Sequence, residues 1–118
     1  MDELEKVKNC PISYRLAMTD ALNALSGKWK MPIIAALSFG KKRYSEIEKD
    51  VPKITPRMLS KELKELEANG IVSRIVQTCA PIAVEYDLTP SGRELVKVTD
   101  TMIEWGLKHR ELTLNCNQ

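Results

Sequence analysis

The stretch KITPRMLSKELKELEANGIV, Lys53 to Val72, constrains the fold more tightly than any other part of the chain. Thr55 followed by Pro56 pairs an N-cap oxygen with a first helical residue that needs no N–H. Asn69–Gly70 is a C-terminal stop. Ile54, just before the cap, is placed to staple onto Leu59. At 3.6 residues per turn, Leu63 and Leu66 fall within about 40° of Leu59, a single stripe that a core must cover. Arg57, Lys61 and Lys64 lie at about 160°, 200° and 140° on the same wheel, with Ser60 at about 100°. Glu62, Glu65 and Glu67 flank them. One side of this helix is built to be buried and the other gathers cations. A solvated face with local pairing, such as Glu65 with Lys61, would show the same pattern.

The surroundings favour a binding role for that face. A helix is expected after Cys10, with Pro11 in its first position and Ser26–Gly27 at its end; Leu16, Ala17, Leu22, Ala24 and Leu25 give it apolar surface. A second carries Trp29, Ile33, Ile34 and Leu37, with Pro32 in its first turn and Gly40 beyond its end. Lys41–Arg43 reads as a very short strand. Residues 44–51 make a short third helix with Ile47 and Val51 inward, stopped by Pro52. After Gly70, IVSRIVQT and AVEYDL read as strands, with Val72 and Val76 alternating with Arg74, and Val84, Tyr86 and Leu88 alternating with Glu85 and Asp87. CAPI is the hairpin tip. Thr89–Pro90 repeats the cap-and-proline signal and opens a long last helix. Residues 1–8 and 113–118 read as frayed or accessory ends.

This order is mostly α with a small β-hairpin (α+β): a helix-turn-helix followed by a hairpin, the layout of a winged helix. The helix at 55–69 then occupies the recognition position. Its first turn offers Thr55, Arg57, Ser60 and backbone N–H groups to phosphates or base edges. Arg57 suits a guanine edge, and Lys61 and Lys64 suit phosphates. Lys41, Lys42, Arg43, Lys53 and Arg74 flank it.

A chain of 118 residues that is 43% hydrophobic and 29% charged is expected to form one soluble domain over 1–118. Within it, 28–88 is the DNA-binding core. The charged start MDELEKVKN has no signal-peptide character and no apolar run is long enough for a membrane span, so a cytoplasmic location is expected. The net charge of +2 decides nothing by itself. Three scattered cysteines and one histidine, without C-x-x-C, point to no metal site, and no Gly-rich loop or nucleophile–base motif suggests an enzyme or a cofactor.

In the last helix Leu95, Val98, Met102, Trp105, His109 and Leu112 recur at spacings of three and four, a heptad-like stripe. Val96 and Ile103 form a second apolar line. One line is expected to pack on the domain and the other on a second copy, so the helices at 10–26 and 90–112 supply a dimer interface that includes Leu16, Leu95, Val98, Met102 and Trp105. A broad core-facing helix is the alternative. Cys10 sits at a helix start, where the positive helix end favours a thiolate and Lys8 is near, which makes it a candidate sensor of oxidants or electrophiles. Cys116 is a candidate resolving partner. A small residue near the dimer interface is the plainer account of Cys10.

Together the blocks CP (Cys10–Pro11), GKWKMPIIAAL, KRYSEIEKDVPKITPRMLSKELKELEANGIVSR and VEYDLTPSGREL resemble the HxlR-type family of bacterial winged-helix transcriptional regulators, within the MarR-like superfamily, over about residues 10–110. The resemblance implies a homodimer on a two-fold-related operator, with Thr55–Lys64 in the major groove, the hairpin as wing and dimerisation through the first and last helices. It also implies that a cysteine at the CP position senses oxidants or reactive carbonyls in several members. The candidate duplex contacts are then Arg43, Ser45, Lys53, Thr55, Pro56, Arg57, Ser60, Lys61, Lys64 and Arg74. The wing tip CAPIAVEY departs from the family, which usually carries a basic residue just before VEY, and leaves Arg74 at the wing base as the wing's candidate contact. Two other classes stay open: a winged-helix module that binds protein instead of DNA, and a small thiol-dependent enzyme resting on Cys10.

Overall fold

Leu59, Leu63 and Leu66 are 0, 2 and 0% exposed, and the rest of the core is arranged around them. Each contributes about 1.5–3 kcal/mol by leaving water. In the computed structural model, which describes residues 2–116, the elements run α1 (Glu3–Lys8), α2 (Pro11–Ala24), α3 (Lys30–Leu37), β1 (Lys42–Arg43), α4 (Tyr44–Asp50), α5 (Pro56–Ala68), β2 (Val72–Gln77), β3 (Ala83–Leu88) and α6 (Pro90–Cys116). The three leucines of α5 pack with Ile33, Ile34 and Leu37 of α3, Ile47 of α4, the loop residues Val51 and Ile54, and Ile71, Val72 and Leu88. The short helix α1 was not foreseen; its six residues, ELEKVK, are too few and too polar for a periodic signal.

Both ends of α5 are fixed by local chemistry. Thr55 Oγ1 accepts from the Met58 N–H at 3.2 Å. At the other end Ile71 N–H donates to Leu66 O at 2.9 Å and Gly70 N–H to Glu67 O at 3.0 Å, the paired bonds of a Schellman motif. Gly70 has φ of +74°, a conformation other side chains resist. Ile71 and Leu66, both buried, complete the motif with an apolar contact.

The sheet order is β1-β3-β2, all antiparallel, with Lys42 opposite Tyr86, Val72 opposite Leu88 and Arg74 opposite Tyr86. One expectation had the wrong parity. Residues 72, 74 and 76 are two apart, so Val72, Arg74 and Val76 share one face instead of alternating. Val72 at the strand's root is buried, whereas Arg74 and Val76, farther out, are exposed. α6 joins the sheet closely. Thr89 Oγ1 lies 2.6 Å from Gly70 O and 3.1 Å from Ile71 O, and accepts from the Gly92 N–H at 3.1 Å. A Cβ at Gly92 would lie 2.3 Å from the Ile71 carbonyl oxygen, so only glycine fits.

The ends of the chain behave differently from the centre. No residue of α2 is buried, and Ile12, Leu16 and Leu22 are more than 60% exposed. In α6 Leu95, Val96 and Thr99 meet the core, but Met102, Ile103, Trp105, Leu107 and Leu112 are exposed. The expected division of α6 into a domain-facing line and a partner-facing line is therefore replaced by a division along its length. Leu95 belongs with the core, and both lines are uncovered beyond Thr99. The radius of gyration is 17.2 Å, against about 13–14 Å for a compact chain of this length.

The core also holds a charge. Lys30 is 3% exposed, and its Nζ lies 2.8 Å from Glu62 Oε2 and 2.6 Å from Glu65 Oε2, both on α5. Burial works to lower the Lys30 pKa, but the hydrogen bonds and charges of Glu62 and Glu65 outweigh it and the value is raised. The Lys30 hydrogen bond and then its charge hold Glu65 below the ordinary carboxylate value. Lys30→Met should lower unfolding free energy by about 3 kcal/mol in urea titrations at neutral pH, because it leaves paired carboxylates without their cation. A group with a depressed folded pKa stabilises above its unfolded value and loses that contribution as pH falls through the folded one. The gap between wild type and Lys30→Met should therefore narrow in acid.

Candidate nucleic-acid interface and thiol site

Arg57, Lys61 and Lys64 are all exposed on the side of α5 away from the leucine stripe. The pairing of Lys61 with Glu65 that could have neutralised this face does not form. Glu65 turns instead to Lys30, and Arg57, Lys61 and Lys64 are in no ion pair among the described residues. The acidic residues of α5 are thus partly drawn inward while its basic residues stay outside.

The approach to this helix is shaped by α4 and the turn. Tyr44 Oη donates to the Pro56 carbonyl at 2.6 Å and lies 3.1 Å from Ser60 Oγ. Lys53, in the turn, has φ of +71°, a left-handed conformation that costs a non-glycine residue about 1 kcal/mol. The first turn of α5 has fewer open donors than the sequence suggested. Pro56 has no N–H, the Met58 N–H is capped by Thr55, and Leu59 N–H donates to Thr55 O at 2.9 Å. The Arg57 N–H is the open donor of that turn among the described residues. Arg43 and Ser45 are exposed at the start of α4, where Arg43 N–H donates to Glu46 Oε1 at 3.0 Å. Lys42 is taken up by an ion pair with Asp50.

On the wing, Arg74 lies over the groove between α5 and the sheet, which Ser60, Leu63, Lys64, Glu67 and Tyr86 also line. The tip, Thr78 to Ile82, carries no charge. Lys30 and Tyr44 were not recognised as parts of this site. Their partners are 32 to 35 and 12 to 16 residues away, so no local spacing signals them.

Cys10 is exposed and is the N-cap residue of α2. The Ser13 hydroxyl donates to Cys10 Sγ at 3.4 Å. That bond, with help from the backbone N–H groups of Ser13 and Ile12, holds the thiol below its ordinary pKa. Ser13 was overlooked although it stands three residues after the cap, the spacing at which a side chain reaches back. Cys79 is exposed near the wing tip. The side chain of Cys116 lies outside the described residues.

The model of the HxlR-like helix-turn-helix family matches residues 24–113. The chain belongs to this family. An HxlR-like relative, the HTH-type transcriptional regulator YtcD of Bacillus subtilis (strain 168), is 42% identical over 96 residues, covering 81% of this chain and 76% of YtcD. The solved structure of the redox regulator HypR in its reduced form is 42% identical with a TM-score of 0.75, covering 81% of this chain and 95% of HypR. Diamide-treated YodB from B. subtilis is 39% identical with a TM-score of 0.69, over 78% of this chain and 91% of that one.

Alkylation of Cys10 by iodoacetamide should rise with pH about a midpoint below that of an ordinary thiol. Ser13→Ala should move the midpoint upward, with Cys10→Ser supplying the blank. An unchanged midpoint would rule out the Ser13 bond as the cause.

Proposed function

We propose that the chain is a cytoplasmic transcriptional regulator that binds, as a homodimer, a two-fold-related operator in duplex DNA, without catalysis or cofactor. The observation that carries this reading is the unpaired cationic face of α5, kept clear because Glu65 is engaged by Lys30. With α5 in the major groove, Arg57 addresses a base edge, and Lys61 and Lys64 neutralise phosphates. The Thr55 hydroxyl and the Arg57 N–H face a phosphate at the helix start beside Pro56. Lys53, Arg43 and Ser45 approach the backbone on one flank and Arg74 on the other. The uncharged wing tip adds little.

The apolar surface of α2 and of α6 beyond Thr99 supports self-association through Leu16, Val98, Met102 and Trp105, with Leu95 at the root. Pairing through these helices sets two copies of α5 about 34 Å apart, one turn of duplex. Cys10, at the start of a helix in that interface, is the sensor. Its thiolate adds to an electrophilic carbon, or yields two electrons to an oxidant and becomes a sulfenic acid. Either change alters the packing of α2 and hence the spacing of the half-sites. The redox regulators among the relatives support this part.

Arg57→Glu/Lys61→Glu/Lys64→Glu should leave the thermal melt close to wild type. It should reduce duplex affinity more than 100-fold at low salt and cut the log–log salt slope by about 2.7. If affinity for DNA is unaltered and only a protein partner is lost, the module is a protein-binding one. Trp105→Glu together with Leu16→Glu should halve the mass measured by sedimentation and abolish tight operator binding.

A further inference from the structure

The contact between α4 and α5 fixes the position of a single proton. Tyr44 Oη is 2.6 Å from the Pro56 carbonyl oxygen and 3.1 Å from Ser60 Oγ. A tyrosine hydroxyl carries one proton, and a carbonyl oxygen only accepts. Two oxygens 2.6 Å apart need a proton between them, so the Tyr44 proton points at Pro56. The second contact then has one solution: Ser60 donates to Tyr44 Oη. Serine also has one proton, and here it is spent inward. What Ser60 presents outward is a lone pair.

Ser60 stands three residues after Arg57 and four before Lys64, on the same side of α5, and lines the groove toward Arg74. An oxygen that can only accept is repelled by phosphate oxygens, by guanine O6 and N7, and by thymine O4. The hydrogen-bond donors that a duplex shows in its major groove are the N6 amino group of adenine and the N4 amino group of cytosine. We propose that Ser60 is a specificity-determining residue that accepts a hydrogen bond from one of these amino groups, and that Tyr44 is the positioning residue that keeps its hydroxyl in the accepting state. The proposal rests on the duplex-DNA reading above. Arg57, which can only donate, and Ser60, which can only accept, then read bases of opposite polarity one helical turn apart.

The test selects binding sites from a random-sequence duplex pool with the full chain, then measures affinities for singly substituted duplexes. Wild type should favour adenine or cytosine at one position in each half-site. Replacing that base by its analogue without the amino group, purine or 2-pyrimidinone, should weaken binding about three- to tenfold, the size of one hydrogen bond. Ser60→Ala should lose that discrimination and no other. Tyr44→Phe keeps the ring and frees the Ser60 proton, so guanine or thymine should become tolerated at the same position. Ser60→Ala, a favourable change on a helix, tests the base contact even where Tyr44→Phe folds poorly. A Ser60→Ala profile identical to wild type overturns the proposal, as does a wild-type preference for guanine or thymine that Ser60→Ala relaxes. A Tyr44→Phe variant that folds and keeps the wild-type profile overturns the role of Tyr44. If wild type enriches no sequence, the DNA reading itself falls, which is distinct from enrichment that Ser60→Ala leaves untouched.

Discussion

The ion triad of Lys30, Glu62 and Glu65 is the interaction on which the outward character of α5 depends. A buried ammonium needs compensation, and two carboxylates from one helix provide it. The geometry has a second effect. By drawing Glu62 and Glu65 toward α3, it removes the nearest anions from the exposed side and leaves Arg57, Lys61 and Lys64 unneutralised. α5 has no large charge excess, so its cationic surface arises from sorting. The leucine stripe holds the helix against the core, and the triad adds a directional link that a greasy contact lacks.

The same helix is tied at its start by a different device. Tyr44 bonds to the Pro56 carbonyl and approaches Ser60, while Thr55 caps Met58. Lys30 therefore acts from α3 on the middle of α5, and Tyr44 acts from α4 on its first turn. Lys53 keeps a left-handed backbone in the turn between them, where glycine would be less strained. A lysine there places a cation beside the first turn of α5, and the duplex reading gives that cation a use.

Much of this was legible in the sequence because it is encoded locally. Thr55–Pro56, Asn69–Gly70 and Thr89–Pro90 mark helix ends through backbone chemistry that acts over three or four residues, and each stands where it was expected. The leucine period located the buried side of α5. What escaped depends on contacts between distant segments: Lys30 with Glu62 and Glu65, Tyr44 with Ser60, and the approach of α6 at Gly92. Lys30 looked like one more surface cation, since nothing near it shows that it is buried. The pairing of Glu65 with Lys61 failed because Lys30 offers a less solvated partner. The division of α6 was misjudged because a heptad pattern reports which residues are apolar and not where the domain ends beneath them.

The uncovered length of α2 has a further consequence. Helices of this size are marginal in water unless something packs on them, and within one protomer nothing buries any residue of α2. Where a second copy supplies the cover, ordering of α2 and association become one event, and the melting temperature climbs as the protein is made more concentrated. Occupancy of a palindromic site then varies with the square of the amount of chain while free protomers predominate, so modest changes in expression become steep changes in occupancy.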